Sequence, residues 1–287
     1  MKKLGILLIG ILLVSLTAGC IGGKTSTTTT TSGSVSSTAG MTVTATTPSP
    51  TTTTTTASPL PKKYTQGELL QRVKAVRYFT FTDNTTMIMQ LTMEVNGSVM
   101  QRQNMTFELN RKAYVDLENR EAEVNGTTRV YPGGAGSATH QVVIGDTIYV
   151  EANGITHEMK NGTIANLTWN YNPISLALLY LARKPEREEF KNGTQFLYYN
   201  ISTEDMRNMM AGFAPIGKSN LSVWNGILEL GFRDGKLISE RTMYEFRLSM
   251  SIQGSEITEV GKIYDEIRIF DVNIKKNVKI PEKSVKA

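Results

Sequence analysis

Between Met89 and Val95, apolar and polar side chains alternate residue by residue. Met87, Met89, Leu91, Met93 and Val95 take one face; Gln90, Thr92 and Glu94 take the other. A period of two means an extended strand with one dry face and one wet face. Asn96-Gly97 follows, a dipeptide suited to a tight hairpin. Met105, Phe107 and Leu109 then resume one face, while Arg102, Asn104, Thr106 and Glu108 take the other. Later segments repeat the pattern. Val142 to Val150 is β-branched and broken by Gly145-Asp146, and Leu221 to Phe232 and Lys236 to Ile252 flank Asp234-Gly235, a second hairpin signal. Tyr244, Phe246, Leu248, Met250 and Ile252 share a face, and Ile257 to Ile274 reads as one more strand or a pair. Long strands joined by tight turns, each dry on one side, describe an antiparallel sheet.

Such a sheet needs a cover, and helical periodicity supplies candidates. Leu69, Leu70, Val73 and Val76 recur at helical spacing from Thr65 to Arg77. Asn172 and Pro173 form an N-cap and first position for an apolar helix, Ile174 to Leu181, that has to be buried. A third helix starts at Ser202, with Asp205 completing a capping box and Met206, Met209 and Met210 on one side. The expected order is helix, strands, helix, strand, helix, strands. The fold class is α+β: a large curved antiparallel sheet, a half-barrel, with helices on its concave face.

The preceding residues cannot join that core. Lys2 and Lys3 precede thirteen mostly apolar residues, Leu4 to Leu16, and then the small Thr17, Ala18 and Gly19 before Cys20, the single cysteine of the chain. This is the layout of a secretory signal. As a helix the apolar run spans roughly 20 Å, short of the bilayer core of about 30 Å. Residues 24 to 61 hold 17 Thr, 7 Ser and 4 Pro in 38 positions, too little apolar surface to offset ordering entropy. They read as an O-glycosylated stalk or a bare flexible linker. Three parts result: a signal peptide over 1–20, a disordered stalk over 21–61, and one sheet domain over 62–287.

Asn-x-Ser/Thr occurs nine times in that domain, at Asn84, Asn96, Asn104, Asn125, Asn161, Asn166, Asn192, Asn200 and Asn220. Nine sequons behind a signal peptide mark an exported glycoprotein. Four of them are Asn-Gly (Asn96, Asn125, Asn161 and Asn192), which is also hairpin-turn chemistry.

Two resemblances add to this reading. The end of the apolar run resembles the lipobox of bacterial and archaeal lipoproteins, with leucine one place early at Leu16. It implies cleavage between Gly19 and Cys20, lipid on Cys20, and a lipid-anchored position on the extracytoplasmic face of a cell membrane. High threonine, many sequons and a lipobox together look like an archaeal cell-surface lipoprotein. The domain resembles the LolA/LppX/LprG-like superfamily of lipoprotein carriers and lipid-binding lipoproteins. The segments that carry this are "HQVVIGDTIYVEANG" (140–154), "NPISLALLYLA" (172–182), "GILELGFRDGKLISE" (226–240) and "IFDVNIKKNVKIPEK" (269–283). The superfamily implies an open half-barrel around an apolar cavity for acyl or similar chains. No functional motif of the superfamily maps onto this chain, so no residue role is carried over.

A cavity would draw its lining from Met87, Met89, Leu91, Met93, Phe107, Leu178, Leu181, Met206, Met209, Tyr244, Phe246, Leu248 and Met250. The same residues would also fill a packed core. Eleven of the thirteen methionines lie in the domain, and methionine adapts to varied apolar partners as well as to irregular cores.

Other chemistry is absent from the sequence. His140 and His157 are the only histidines, and no metal spacing, serine elbow or nucleotide loop occurs. The glycine-rich stretch at 131–140 reads as a mobile surface loop, and Glu188-Glu189 and Glu121/Glu123 as solvated faces. A net charge of +5 without a basic stripe argues against nucleic acid. The expectation is a cofactor-free, non-enzymatic lipoprotein, partnered by the membrane and a lipid or lipoprotein acyl chain. The alternatives are a surface structural or adhesion module and an accessory solute-binding lipoprotein of a transporter.

Overall fold

The computed structural model describes residues 62–152, 155–210, 219–252 and 255–281. Gly19, Cys20 and the threonine-rich stretch to residue 61 lie outside the described residues.

Eleven strands form one antiparallel sheet in the order β6-β5-β4-β3-β2-β1-β11-β10-β9-β8-β7. The first six are β1 (Tyr78–Val95), β2 (Ser98–Asp116), β3 (Glu121–Tyr131), β4 (Ala135–Ile144), β5 (Thr147–Ala152) and β6 (Ile155–Lys160). They meander outward from the centre. After two helices, β7 (Arg187–Lys191), β8 (Thr194–Ile201), β9 (Asn220–Arg233), β10 (Lys236–Ile252) and β11 (Ser255–Phe270) meander back. The first and last strands therefore pair in the middle, with Thr80 opposite Phe270 and Val95 opposite Ser255. The result is the open, curved α+β half-barrel expected from the alternation.

Four helices are present among the described residues: α1 (Gln66–Lys74), α2 (Gly162–Asn170), α3 (Pro173–Leu181) and α4 (Thr203–Met210). None is long and apolar enough to cross a membrane. Their starts follow from capping chemistry. Thr65 and Glu68 form a reciprocal capping box on α1. The Asn172 side chain accepts from the Ser175 amide (3.0 Å) ahead of Pro173. The Ser202 amide donates to Asp205 (2.9 Å), whose own amide donates to the Ser202 hydroxyl (3.1 Å). Helix α1 packs on α3 and β10, α2 on α3 and β5, and α4 on β9. Arg183, just after α3, pairs with Asp205 of α4 at 2.6 Å and ties two of the covering helices together.

The sheet's inner face carries the core. Phe79, Phe81, Met87, Met89 and Leu91 of β1 are buried, while Asn84, Ile88 and Gln90 between them face outward and are exposed. Gly261 sits on this inner face between Met89 and Phe246. A Cβ there would lie 2.6 Å from the Ile88 carbonyl oxygen and 2.9 Å from Met89 Cβ. Gly261→Ala is therefore expected to cost about 1–3 kcal/mol of stability through overpacking. A lower urea midpoint at unchanged denaturant slope would report it.

The turns correct several expectations. Asn96-Gly97 and Asn192-Gly193 do turn hairpins, with positive φ at all four residues. Asn125-Gly126 instead lies inside β3, held extended between Lys112 and His140 on its two neighbouring strands. Asn161-Gly162 opens a helix that the sequence did not announce, the Asn161 side chain accepting from the Ile164 amide at 3.1 Å. The stretch 131–140 is not a loop. Only 132–134 turn, and Ala135–His140 pair with β3. The single strand expected between helices is the β7–β8 hairpin, and 257–274 contains one strand, β11.

Candidate ligand-binding site

Between the inner face and the helices lies a cavity of about 250 Å³. Phe107, Leu109, Ala113 and Val115 of β2 line one side, and Ile263 and Ile267 of β11 the back. Ile164, Leu167 and Thr168 of α2, Leu176 and Tyr180 of α3, and Met206 and Met209 of α4 close the front. The lining is mostly apolar, and the covering helices are short ones held by caps and the Arg183–Asp205 pair.

The back wall is not apolar throughout. Strand register places Arg111, Asp83, Ile267, Glu240 and Leu230 in one row across β2, β1, β11, β10 and β9. The next row reads Leu109, Thr85, Asp265, Thr242 and Leu228. Two rows thus bring three carboxyl groups and one guanidinium onto the wall. Arg111 Nε donates to Asp83 Oδ2 at 2.7 Å, and Arg111 Nη2 donates to the same oxygen. Gly126 makes room for the Arg111 stem, since a Cβ there would meet Arg111 Cγ at 3.2 Å. The Thr85 hydroxyl lies 2.9 Å from Asp83 Oδ1 and 3.1 Å from Asp265 Oδ1.

These groups divide in protonation. Burial works to raise the Asp83 carboxyl, but the Arg111 charge, with hydrogen bonds from Asp265, Arg111 and Thr85, holds it below the usual range. Asp265 is raised well above that range, by burial first and then by the neighbouring Asp83 charge. A protonated Asp265 suits the geometry, because the Thr85 hydroxyl has one proton and faces two acceptors. Burial, with the Asp83 charge, pushes Glu240 up to about 8. Glu240 is 2% exposed, and its Oε2, like the Thr242 hydroxyl, has no hydrogen-bond partner among the described residues. The wall therefore holds one ion pair beside two carboxyl groups whose neutral form burial favours. It can donate and accept hydrogen bonds, and no His, Cys, Asp and Glu grouping among the described residues could hold a metal.

The sequence-derived candidates divide as follows. Met87, Phe107, Met206, Met209 and Tyr244 line the cavity. Met89, Leu91, Leu181, Phe246, Leu248 and Met250 are buried in the surrounding apolar cluster without lining it, and Met93 and Leu178 are half-buried against that cluster. Eight sequon asparagines (Asn84, Asn96, Asn104, Asn125, Asn166, Asn192, Asn200 and Asn220) are exposed, while Asn161 is half-buried in its cap. The carboxyl wall went unnoticed in the sequence. The signal was there: the register that buries Phe81 and Met87 also buries Asp83 and Thr85, and the register of Tyr244 turns Glu240 and Thr242 inward.

No protein-family model matches the chain, and no characterised relative matches it in sequence. Solved structures do resemble it. LprF from Mycobacterium bovis aligns over 76% of this chain and 95% of its own, at 11% identity and a TM-score of 0.32. A LolA-superfamily protein from Nitrosomonas europaea aligns over 77% and 99%, at 7% identity and a TM-score of 0.24. Lipovitellin, in a structure concerned with its lipid–protein interactions, aligns over 71% of this chain and 26% of its own, at 10% identity and a TM-score of 0.27.

Proposed function

We propose that the domain binds or carries a lipophilic ligand, a lipid or the acyl chain of a lipoprotein, in the cavity between sheet and helices. The supporting observation is the cavity itself: about 250 Å³, walled by more apolar than polar side chains, and covered by helices. Apolar concave sites with a few convergent polar groups are the usual form of small-ligand sites. The same proposal makes the chain a non-enzymatic, extracytoplasmic lipoprotein. Lipid on Cys20 would anchor it, and the 24–61 stalk would hold the domain away from the membrane. The adhesion reading requires an outer apolar patch free of sequons. The outward Ile227, Met243 and Tyr264 form such a patch, but the sequon Asn200 borders it, opposite Ile227 on the adjoining strand.

The test compares the delipidated chain with a Leu167→Trp variant, which puts a large side chain into the cavity from α2. After exposure to membrane lipid extract, the wild-type chain is expected to retain extractable lipid. The variant should retain about tenfold less, a loss of about 1.4 kcal/mol in binding. Equal retention by both would place the lipid elsewhere.

A further inference from the structure

The wall of the cavity constrains the polar end of the ligand. Three carboxyl groups face one guanidinium there. Arg111 is committed to Asp83 through two hydrogen bonds, so Asp265 and Glu240 have no cation of their own among the described residues. Glu240 lines the cavity, is 2% exposed, and leaves Oε2 without a partner; the Thr242 hydroxyl beside it is likewise unpartnered. Buried polar atoms in folded chains are paired in the great majority of cases, so an unpartnered carboxyl oxygen on a residue that lines a cavity marks the place of a missing polar partner. Two aromatic rings share the wall: Tyr244, two residues beyond Thr242 on the same strand face, and Tyr180 of α3, over whose ring the Arg183 guanidinium already lies, 4.8 Å from the centroid. Carboxyl groups next to aromatic faces suit an ammonium group, which the carboxylate pairs with and the rings attract.

We propose that the cavity selects an amphiphile with a basic nitrogen, its ammonium end seated against Glu240 and Asp265 beside the ring of Tyr244 and its chain under α2 and α4. This rests on the cavity reading above. A fatty-acid carboxylate or a phosphate would find no free cation on this wall, because Arg111 is committed to Asp83. A neutral alcohol or ester would leave the two acids protonated and gain no ion pair.

Titration of the full, delipidated chain with dodecylamine, dodecanol and sodium dodecanoate at neutral pH tests this. Dodecylammonium is expected to bind about tenfold more tightly than dodecanol, with dodecanoate weakest. Binding the amine should also release a proton, because Glu240 is neutral in the free protein and becomes a carboxylate beside the ammonium. Titrations in buffers of different ionisation enthalpy read that release. The titratable and charged groups around Glu240 are Asp83 of β1, Arg111 of β2, Asp265 of β11, Tyr244 of β10 and Tyr180 of α3, with Arg183 over the Tyr180 ring. With Glu240→Gln and Asp265→Asn together, or Glu240→Gln alone if the pair does not fold, the ratio of amine to alcohol affinity should fall towards one and the proton release should disappear. An amine that binds no better than the alcohol, or a preference that survives in these variants, overturns the inference and leaves the cavity reading standing. Failure of all three compounds to bind overturns both.

Discussion

Arg111→Met is expected to remove about 3–5 kcal/mol of folding stability, the largest effect of any single substitution on the wall. The Arg111–Asp83 pair is the one satisfied charge pair in a row of buried groups, and the Asp83 side chain is 0% exposed. Deleting the guanidinium leaves Asp83 facing Asp265 and Glu240, three acids with no cation. The chain must then either bury a bare carboxylate or protonate a third acid, and either course costs stability. The pair itself adds little over an apolar substitute, because burial cost and attraction nearly cancel. Adding Asp83→Leu to Arg111→Met should therefore restore most of the loss. Chemical denaturation of the wild type, the two single variants and the double variant completes the cycle. Equal losses in Arg111→Met and in the double variant would show that Arg111 acts through packing alone.

The second large effect is a gain. Glu259 lies on the inner face of β11 between Leu91 and Leu248 on the neighbouring strands, and is 0% exposed. Neither of its carboxyl oxygens has a hydrogen-bond partner among the described residues. Burial pushes its carboxyl from 4.5 up to about 7. Between those values the unfolded chain has lost the proton and the folded chain still holds it. Stability therefore falls as pH rises through this window and levels off above it. Glu240, at about 8, extends the same slope. Glu259→Met removes the Glu259 contribution. The variant should be more stable than wild type by about 3 kcal/mol at mildly alkaline pH, and the gain should shrink as pH falls towards 4.5. Thermal melts across that range would show it. A gain independent of pH would mean that Glu259 titrates normally.

Both effects come from residues whose significance was hidden by the way a strand is read. Period-two alternation makes the sheet legible where the dry face is uniformly apolar, as in Met87 to Val95 and Tyr244 to Met250. Dipeptides with positive-φ chemistry made Asn96-Gly97 and Asp234-Gly235 legible as turns. Asn172-Pro173 and the Ser202/Asp205 box likewise marked helix starts. The pattern fails where polar residues take inward positions. Asp83, Glu240, Glu259 and Asp265 look like surface charge until their strands are in register, because their partners lie on other strands, up to 182 positions apart for Asp83 and Asp265. Helix α2 was missed because "GTIANLTWN" is short and β-branched and begins with Asn161-Gly162, a turn dipeptide doing the work of a cap. Strand β7 was missed because "REEFK" is exposed on both faces and shows no alternation.

The cavity also changes what the methionines mean. Met87, Met206 and Met209 line it, whereas Met89 and Met250 pack around it and Met100 and Met243 are exposed. The residue type alone does not mark the site; the junction of the inner face with α2, α3 and α4 does.

Native mass spectrometry of the full chain tests the central claim most directly. A lipophilic molecule bound in stoichiometric amount, displaced by an alkyl amine and diminished by Leu167→Trp, is the predicted result. A chain that arrives with its cavity empty, and stays unliganded after exposure to membrane extract, would contradict it.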